Sequence, residues 1–244
     1  MKLLLLLLSA AKLGKVLMTG GTMLLSVFAY SFLFGWRYAA GFVALMFVHE
    51  MGHYLAARRE GLNVGAPMFI PFVGAWIQLK DQPVNAQQEA YIGLAGPFVG
   101  TLGALACFFM ARNFDSPLLL AISYSGFFLN LINLVPVLPF DGGRVTGAIS
   151  PKIWYLGVPI LIALFVYNPS PVFIIIALLA APSMLRAWRG GTAEHERYYD
   201  VPLATRAQYA LVYLVLLAFL GIMTYELHQE LPRAGFSQVN QPSV

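Results

Sequence analysis

Seven apolar runs divide the chain, at 17–35, 38–57, 88–111, 117–137, 153–167, 171–188 and 208–226. A bilayer core about 30 Å thick is crossed by about 20 mostly apolar helical residues, and a helix satisfies its own backbone there. The sequence therefore predicts an all-α polytopic membrane protein with about six to seven transmembrane helices, the run at 153–167 being the shortest. Composition agrees: 59% of the 244 residues are hydrophobic and 11% are charged, against about 25% charged in soluble domains. The expected organisation is an interfacial N-terminal segment over 1–16, one transmembrane domain over 17–228 and a polar tail over 229–244, disordered after Pro232. The opening "MKLLLLLLSAAKLGK" resembles a short signal peptide, but Lys12 and Lys15 stand where a cleavage site needs small neutral residues. It reads instead as an interfacial or helix-extending segment.

Loop charges orient these spans. With the N-terminus in the cytoplasm, Lys2, Lys12, Lys15, Arg58, Arg59, Lys80, Arg144, Lys152, Arg186, Arg189, Arg197 and Arg206 fall inside, and only Arg37, Arg112 and Arg233 fall outside. That 12-to-3 split predicts N-in, C-out, and the expected location is a bacterial plasma membrane. The net charge of +4 is carried at segment ends rather than along one stripe, which argues against a nucleic-acid binder. Trp36, Trp188, Tyr198 and Tyr199 lie near predicted boundaries and read as interfacial anchors. The lone Cys107, in an apolar run, excludes an internal disulfide framework and reads as a small buried or lipid-facing residue.

Two stretches do not fit simple spans. Residues 61–85, "GLNVGAPMFIPFVGAWIQLKDQPVN", interrupt apolar patches with Gly and Pro and then alternate. They predict a membrane-embedded, β-hairpin-like insertion, tolerable where protein or a watery cavity satisfies its backbone. In "NLINLVPVLPFDGGR", 130–144, Pro136 and Pro139 should break the fourth helix just before Asp141.

The most costly residues sit in "ALMFVHEMGHYLAARR", 44–59, where two of the four histidines and a glutamate lie at bilayer depth. His-Glu-x-x-His on a helix places His49 and His53 one turn apart on one face, able to share one Zn²⁺. Glu50, turned about 100° from His49, then stands beside the reacting water as general base. Chance occurrence or a polar cluster stapling helices together is the alternative. Catalytic zinc takes a third protein ligand. Asp81 is one further candidate; Glu60 reads as a solvated helix end, Asp115 falls on the external side, and Glu89, opening the third span, is not set aside by spacing alone. Asp141 is favoured, because the second and fourth spans run in the same direction and bring it to the depth of the histidines. An ordinary Asp-Gly-Gly turn is the alternative there.

"HEMGH" in one span, "GLAGPFVG" in the next and "NLINLVPVLPFDGGR" closing a third together resemble the site-2 protease family of intramembrane zinc metalloproteases. The likeness runs from about residue 17 to 150, with its core at about 38–150. It implies one Zn²⁺ per chain held by His49, His53 and Asp141, with Glu50 as catalytic base. It also implies that Asn133, eight residues before the aspartate, helps position substrate or transition state. Gly96 and Pro97 match the family's Gly-Pro signature and imply close packing and a kink. The insertion resembles the family's β-loop, which implies substrate contact through Gly74, Ala75, Trp76 and Ile77. No PDZ-like insertion separates the motifs, and no room for a CBS pair follows, so a compact form is expected.

The implied activity is intramembrane cleavage of a single-pass or signal-anchor membrane protein, for regulated proteolysis or for clearance of remnant peptides. A membrane metal-ion carrier using the same ligands is the alternative, and a catalytically inactive relative is a third possibility. His195, in the polar loop "GGTAEHERYYDVP", reads as solvated; His228 receives no role.

Overall fold

The first apolar run becomes part of one long helix, α1 (Lys2–Phe34), which ends where Gly35 takes a positive φ of 79°. The Gly35 N–H bonds back to the Ser31 carbonyl, and the chain re-enters as α2 (Trp36–Arg59). The structure is a computed structural model, and it describes residues 2–72, 74–167, 171–189 and 192–231. After α2 come two antiparallel strands, β1 (Val64–Ile70) and β2 (Gly74–Leu79), which form the predicted hairpin. Asp81 closes its base by accepting from the Asn63 backbone N–H and amide at 2.8 and 2.7 Å, and those donors hold its carboxyl below the usual range.

Asn85 caps α3 (Ala86–Asn113) by accepting from the Gln88 N–H, and Ser116 caps α4 (Pro117–Asn133), whose first residue is a proline that needs no donor there. Helix α4 stops at Asn133, earlier than the run to 137 suggests, because Pro136 and Pro139 lie ahead. A short helix, α5 (Asp141–Ile149), follows directly. It is followed by a 3₁₀ turn at Pro151–Ile153, α6 (Trp154–Tyr167), α7 (Pro171–Arg189), the short α8 (Ala193–Tyr198) and α9 (Leu203–Glu230). The hydropathy pattern did not anticipate α5 or α8, since neither is long or apolar enough to register as a run.

Among the described residues the fold is 80% helical. Within α1, α3 and α9, the stretches Val16–Phe34, Ala86–Asn113 and Leu203–Glu230 are long and apolar enough to cross a membrane. Helices α4 and α7, at 17 and 19 residues, and α6, at 14, are shorter. At 1.5 Å per residue, α6 spans only about 21 Å of a core about 30 Å thick. Leu24, Phe28 and Phe32 on α1 and Leu211, Leu214 and Val215 on α9 are exposed, as lipid-facing side chains are.

Helix α3 is central and packs on α2, α4, α5 and α9. It can approach them closely because small residues face the contacts. A Cβ on Gly52 of α2 would run into the backbone of Ala95 and Gly96, so α2 and α3 touch main chain to main chain. Helices α3 and α9 run in the same direction: the Tyr209 hydroxyl donates to the Gln87 carbonyl at one end, and Arg112 pairs with both Glu230 oxygens at the other. An apolar core of Ala104, Leu120, Phe127, Leu134, Leu216 and Leu220 fills the space among α3, α4 and α9. At the start of α9, Arg206 donates to the carbonyls of Val201, Tyr199 and Ile149, seating that helix on the end of α5.

Helix α1 also holds the hairpin. Thr19 donates to the Pro67 carbonyl at 2.8 Å, Thr22 accepts from the Phe69 N–H at 3.3 Å, and the Tyr30 hydroxyl accepts from the Phe72 N–H at 3.1 Å. Pro67 and Phe69 therefore turn their backbone groups away from β2. Their partners in the register are Ile77 and Ala75, which by the antiparallel pattern turn theirs toward the free edge of β2.

Candidate metal centre

Helix α2 places His49 and His53 one turn apart, and the first residue of α5 brings Asp141 to them. His49 Nε2, His53 Nε2 and Asp141 Oδ2 form a nearly equilateral triangle with sides of 3.1, 3.1 and 3.2 Å. All three residues are buried. The break after α4 makes this possible: a Cβ on Gly142 or Gly143 would collide with the backbone of Leu134 and Val135, or of Val137 and Leu138, so the two glycines let α5 press against the 134–138 turn. Asp141 is therefore the start of a packed helix rather than an ordinary turn.

The hydrogen bonds behind the imidazoles fix what the triangle contains. His53 Nδ1 lies 2.7 Å from the Ile92 carbonyl, which only accepts, so Nδ1 carries the proton. His49 Nδ1 lies 2.7 Å from Asn130 Oδ1, and the Asn130 amide nitrogen donates to the Gly126 carbonyl at 2.7 Å. That bond orients the amide with its oxygen toward His49, so this Nδ1 is also the donor. Both Nε2 atoms are then bare and face a carboxylate oxygen, so three lone pairs converge with no proton among them. Such a cluster calls for a cation. Zinc–nitrogen and zinc–oxygen bonds of about 2.0 Å at a tetrahedral angle put neighbouring ligand atoms about 3.3 Å apart. The donor set and its spacing fit a zinc ion with one position left open, and His49, His53 and Asp141 are the only such group among the described residues.

A cavity of about 130 Å³ opens on this cluster, lined also by Glu50, Asn133, Arg144, Pro139, Ile92, Ala75 and Ile77. Glu50 is 6% exposed and lies outside the triangle, facing the same space. Asn133 uses one amide N–H on the Leu129 carbonyl at 3.0 Å and keeps the second. Of the hairpin residues singled out in the sequence, Ala75 and Ile77 reach the cavity, Gly74 takes a φ of +126° at the start of β2, and the side chain of Trp76 lies outside the described residues.

The other acids do not join the cluster. Glu89 accepts from the Tyr198 hydroxyl at 2.7 Å, and burial, with the Glu89 charge beside it, pushes that phenol up. Glu60 accepts from Gln88, and Asp81 serves the hairpin base. His228 stacks near Tyr124 at the far end of α9; the side chain of His195, that of Trp188 and the tail from 232 lie outside the described residues.

Three contributors escape a reading of the sequence. The Ile92 carbonyl has no side-chain signature. Asn130, one turn before Asn133, carries a weak one, as a second amide in an apolar helix. Arg144 is one turn past Asp141 and lines the cavity, and its side chain makes no hydrogen bond or ion pair among the described residues. The glycines of α3 matter as much: a Cβ on Gly96 would overlap the His53 ring, and one on Gly100 would overlap the Asn130 amide. Because the Ile92 carbonyl pins His53, its ring has nowhere to turn. Gly96→Ala is therefore expected to weaken zinc binding at least about tenfold and to cost about 1–3 kcal/mol of stability, checked by chelator competition and thermal unfolding in detergent.

Residues 37–114 match the family described as peptidase family M50. A zinc metalloprotease of Methanocaldococcus jannaschii is 32% identical over 115 residues, which is 45% of this chain and 33% of that protein. A protein of Arabidopsis thaliana named a probable zinc metalloprotease, chloroplastic, is 30% identical over 117 residues, covering 46% of this chain and 20% of its own length. The match thus spans a third or less of each of these relatives.

Proposed function

We propose that this chain, whose residues 37–114 match peptidase family M50, is a membrane zinc metalloprotease of the site-2 protease kind and hydrolyses peptide bonds in the transmembrane segments of other membrane proteins. One observation carries the reading: three bare donor atoms, a buried carboxylate and a free amide N–H all face one cavity, whose wall includes the open edge of a strand.

Zinc, when bound, polarises the scissile carbonyl and lowers the pKa of the attacking water. His49, His53 and Asp141 would hold it. Glu50 takes the proton of that water on a carboxylate oxygen and returns it to the nitrogen of the departing strand. The second N–H of Asn133 donates to the carbonyl oxygen as charge develops there. Ala75 and Ile77 offer the backbone groups of the free β2 edge, so an unwound substrate pairs there as a third strand, its scissile bond extended beside Glu50 and Asn133.

The substrates proposed are single-pass or signal-anchor membrane proteins, cut toward the cytoplasmic half of the bilayer, for regulated proteolysis or for clearance of remnants. The proposed arrangement is a single domain over 17–228 with its N-terminus inside and up to seven spans, α5 and α8 lying at the cytoplasmic surface. The shared direction of α3 and α9 fits the proposed alternation of spans, which puts an even number of crossings between their starts.

The test is a reconstituted assay in vesicles with a panel of transmembrane segments. Cleavage is expected to stop when a chelator strips the metal and to return with one equivalent of zinc. Cleavage that persists after the metal has been removed to background would overturn the reading.

A further inference from the structure

Asn130 is a fully buried polar side chain beside the centre, at 1% exposure, and it does not line the cavity. It stands where three helices meet. From α4 its oxygen accepts from His49 on α2, its nitrogen donates back to Gly126 on α4, and its amide fills the space that Gly100 on α3 leaves open. An asparagine at this depth is costly unless both ends of the amide are satisfied. Here both are, and the satisfied orientation has a chemical consequence. An amide held the other way round would present an N–H to His49 Nδ1 and drive the imidazole proton onto Nε2, inside the triangle, where it would block a metal bond.

We propose that Asn130 is a positioning residue of the zinc site, one that fixes the tautomer and ring orientation of His49, and that Gly100 holds the amide in its working orientation. The inference rests on the zinc reading above and deepens it by assigning a residue that is not a ligand. Partners of metal-bound histidines typically change metal affinity by about 10–100-fold when removed. Asn130 and Asn133 act on different groups, since Asn133 faces the reacting atoms and Asn130 faces the back of a ligand.

The test measures zinc dissociation constants by chelator competition on the purified full chain, for wild type, Asn130→Ala, Asn130→Asp, Gly100→Ala and the double variant Asn130→Ala/Gly100→Ala. Asn130→Ala is expected to bind zinc about 10–100-fold more weakly. Asn130→Asp still accepts from His49 Nδ1 and is expected to restore affinity to within a few-fold of wild type. Gly100→Ala, which touches no ligand, is expected to weaken binding by displacing the amide, and its effect is expected to vanish in the Asn130→Ala background. A cobalt-substituted protein gives a second readout, since a reoriented His49 shifts the visible absorption bands of tetrahedral Co²⁺.

Wild-type affinity in Asn130→Ala, in protein that unfolds at the wild-type temperature, would overturn the inference and leave the zinc reading intact. So would an Asn130→Asp protein as weak as Asn130→Ala. If wild type itself bound no zinc, the zinc reading would fail first, and this inference with it.

Discussion

Glu50→Gln is expected to remove cleavage of every transmembrane segment that the wild type cuts, with a rate loss of at least about 10³-fold, while zinc stays bound at one per chain. Proton transfer by a placed side chain contributes about 10²–10⁴ in rate, and among the described residues the one other carboxylate lining the cavity is Asp141, which belongs to the donor triangle. The glutamine keeps the shape of the side chain and its packing but has no basic oxygen. Its carboxylate is not one of the three converging donors, so metal content should not change. Single-turnover cleavage in vesicles, paired with zinc analysis of the same preparation, separates the two effects. A variant that still cuts at a tenth of the wild-type rate would show that the base lies elsewhere. A variant that moves zinc across the vesicle as well as the wild type does would favour a metal carrier.

Asp141→Ala is expected to have the second large effect, on the metal itself. It removes the only anionic donor of the triangle and leaves two imidazoles whose Nε2 atoms are 3.1 Å apart. Losing a direct ligand exceeds the loss of an outer partner, so affinity should fall by well over about 100-fold and activity should fall with it. The fold should survive, since alanine is a good residue in the first turn of α5. The charge lost there costs about 0.3–1 kcal/mol of favourable interaction with the helix terminus. Glu89→Gln is the control: that carboxylate serves the Tyr198 hydroxyl, so zinc content should stay unchanged. Equilibrium dialysis with zinc on the three proteins checks all of this, and unchanged occupancy in Asp141→Ala would mean that the third ligand has been misassigned.

The metal centre was largely legible because its chemistry is written in residue types that a bilayer does not tolerate idly. His49, Glu50, His53 and Asp141 are conspicuous in apolar surroundings, and helical periodicity alone puts the two histidines on one face. The hairpin was legible for the opposite reason: its glycines and prolines interrupt a run that would otherwise cross. The support behind the site was not legible. The Ile92 carbonyl belongs to a residue chosen for its side chain, and Asn130 declares its role only when α2 and α3 close around it. Helix lengths were the weakest inference, since hydropathy marks where apolar residues lie without marking where prolines end the helix. That is why the fourth run overshot Asn133, and why the amphipathic turn of α5 went unseen.

The bonds from Thr19 and Thr22 to Pro67 and Phe69 have a consequence for the molecule among its own copies. A bare strand edge in a crowded bilayer invites an identical edge to zip onto it, and such pairing grows without limit when both sides of a sheet are open. In this hairpin one side is stoppered by hydroxyls from the chain's own first helix and by a proline that has no N–H to give. A sheet open on one side only can take one visitor and then stops. Two copies that met through it would form a closed pair rather than a fibre, and any chain threaded against β2 would compete directly with that pairing.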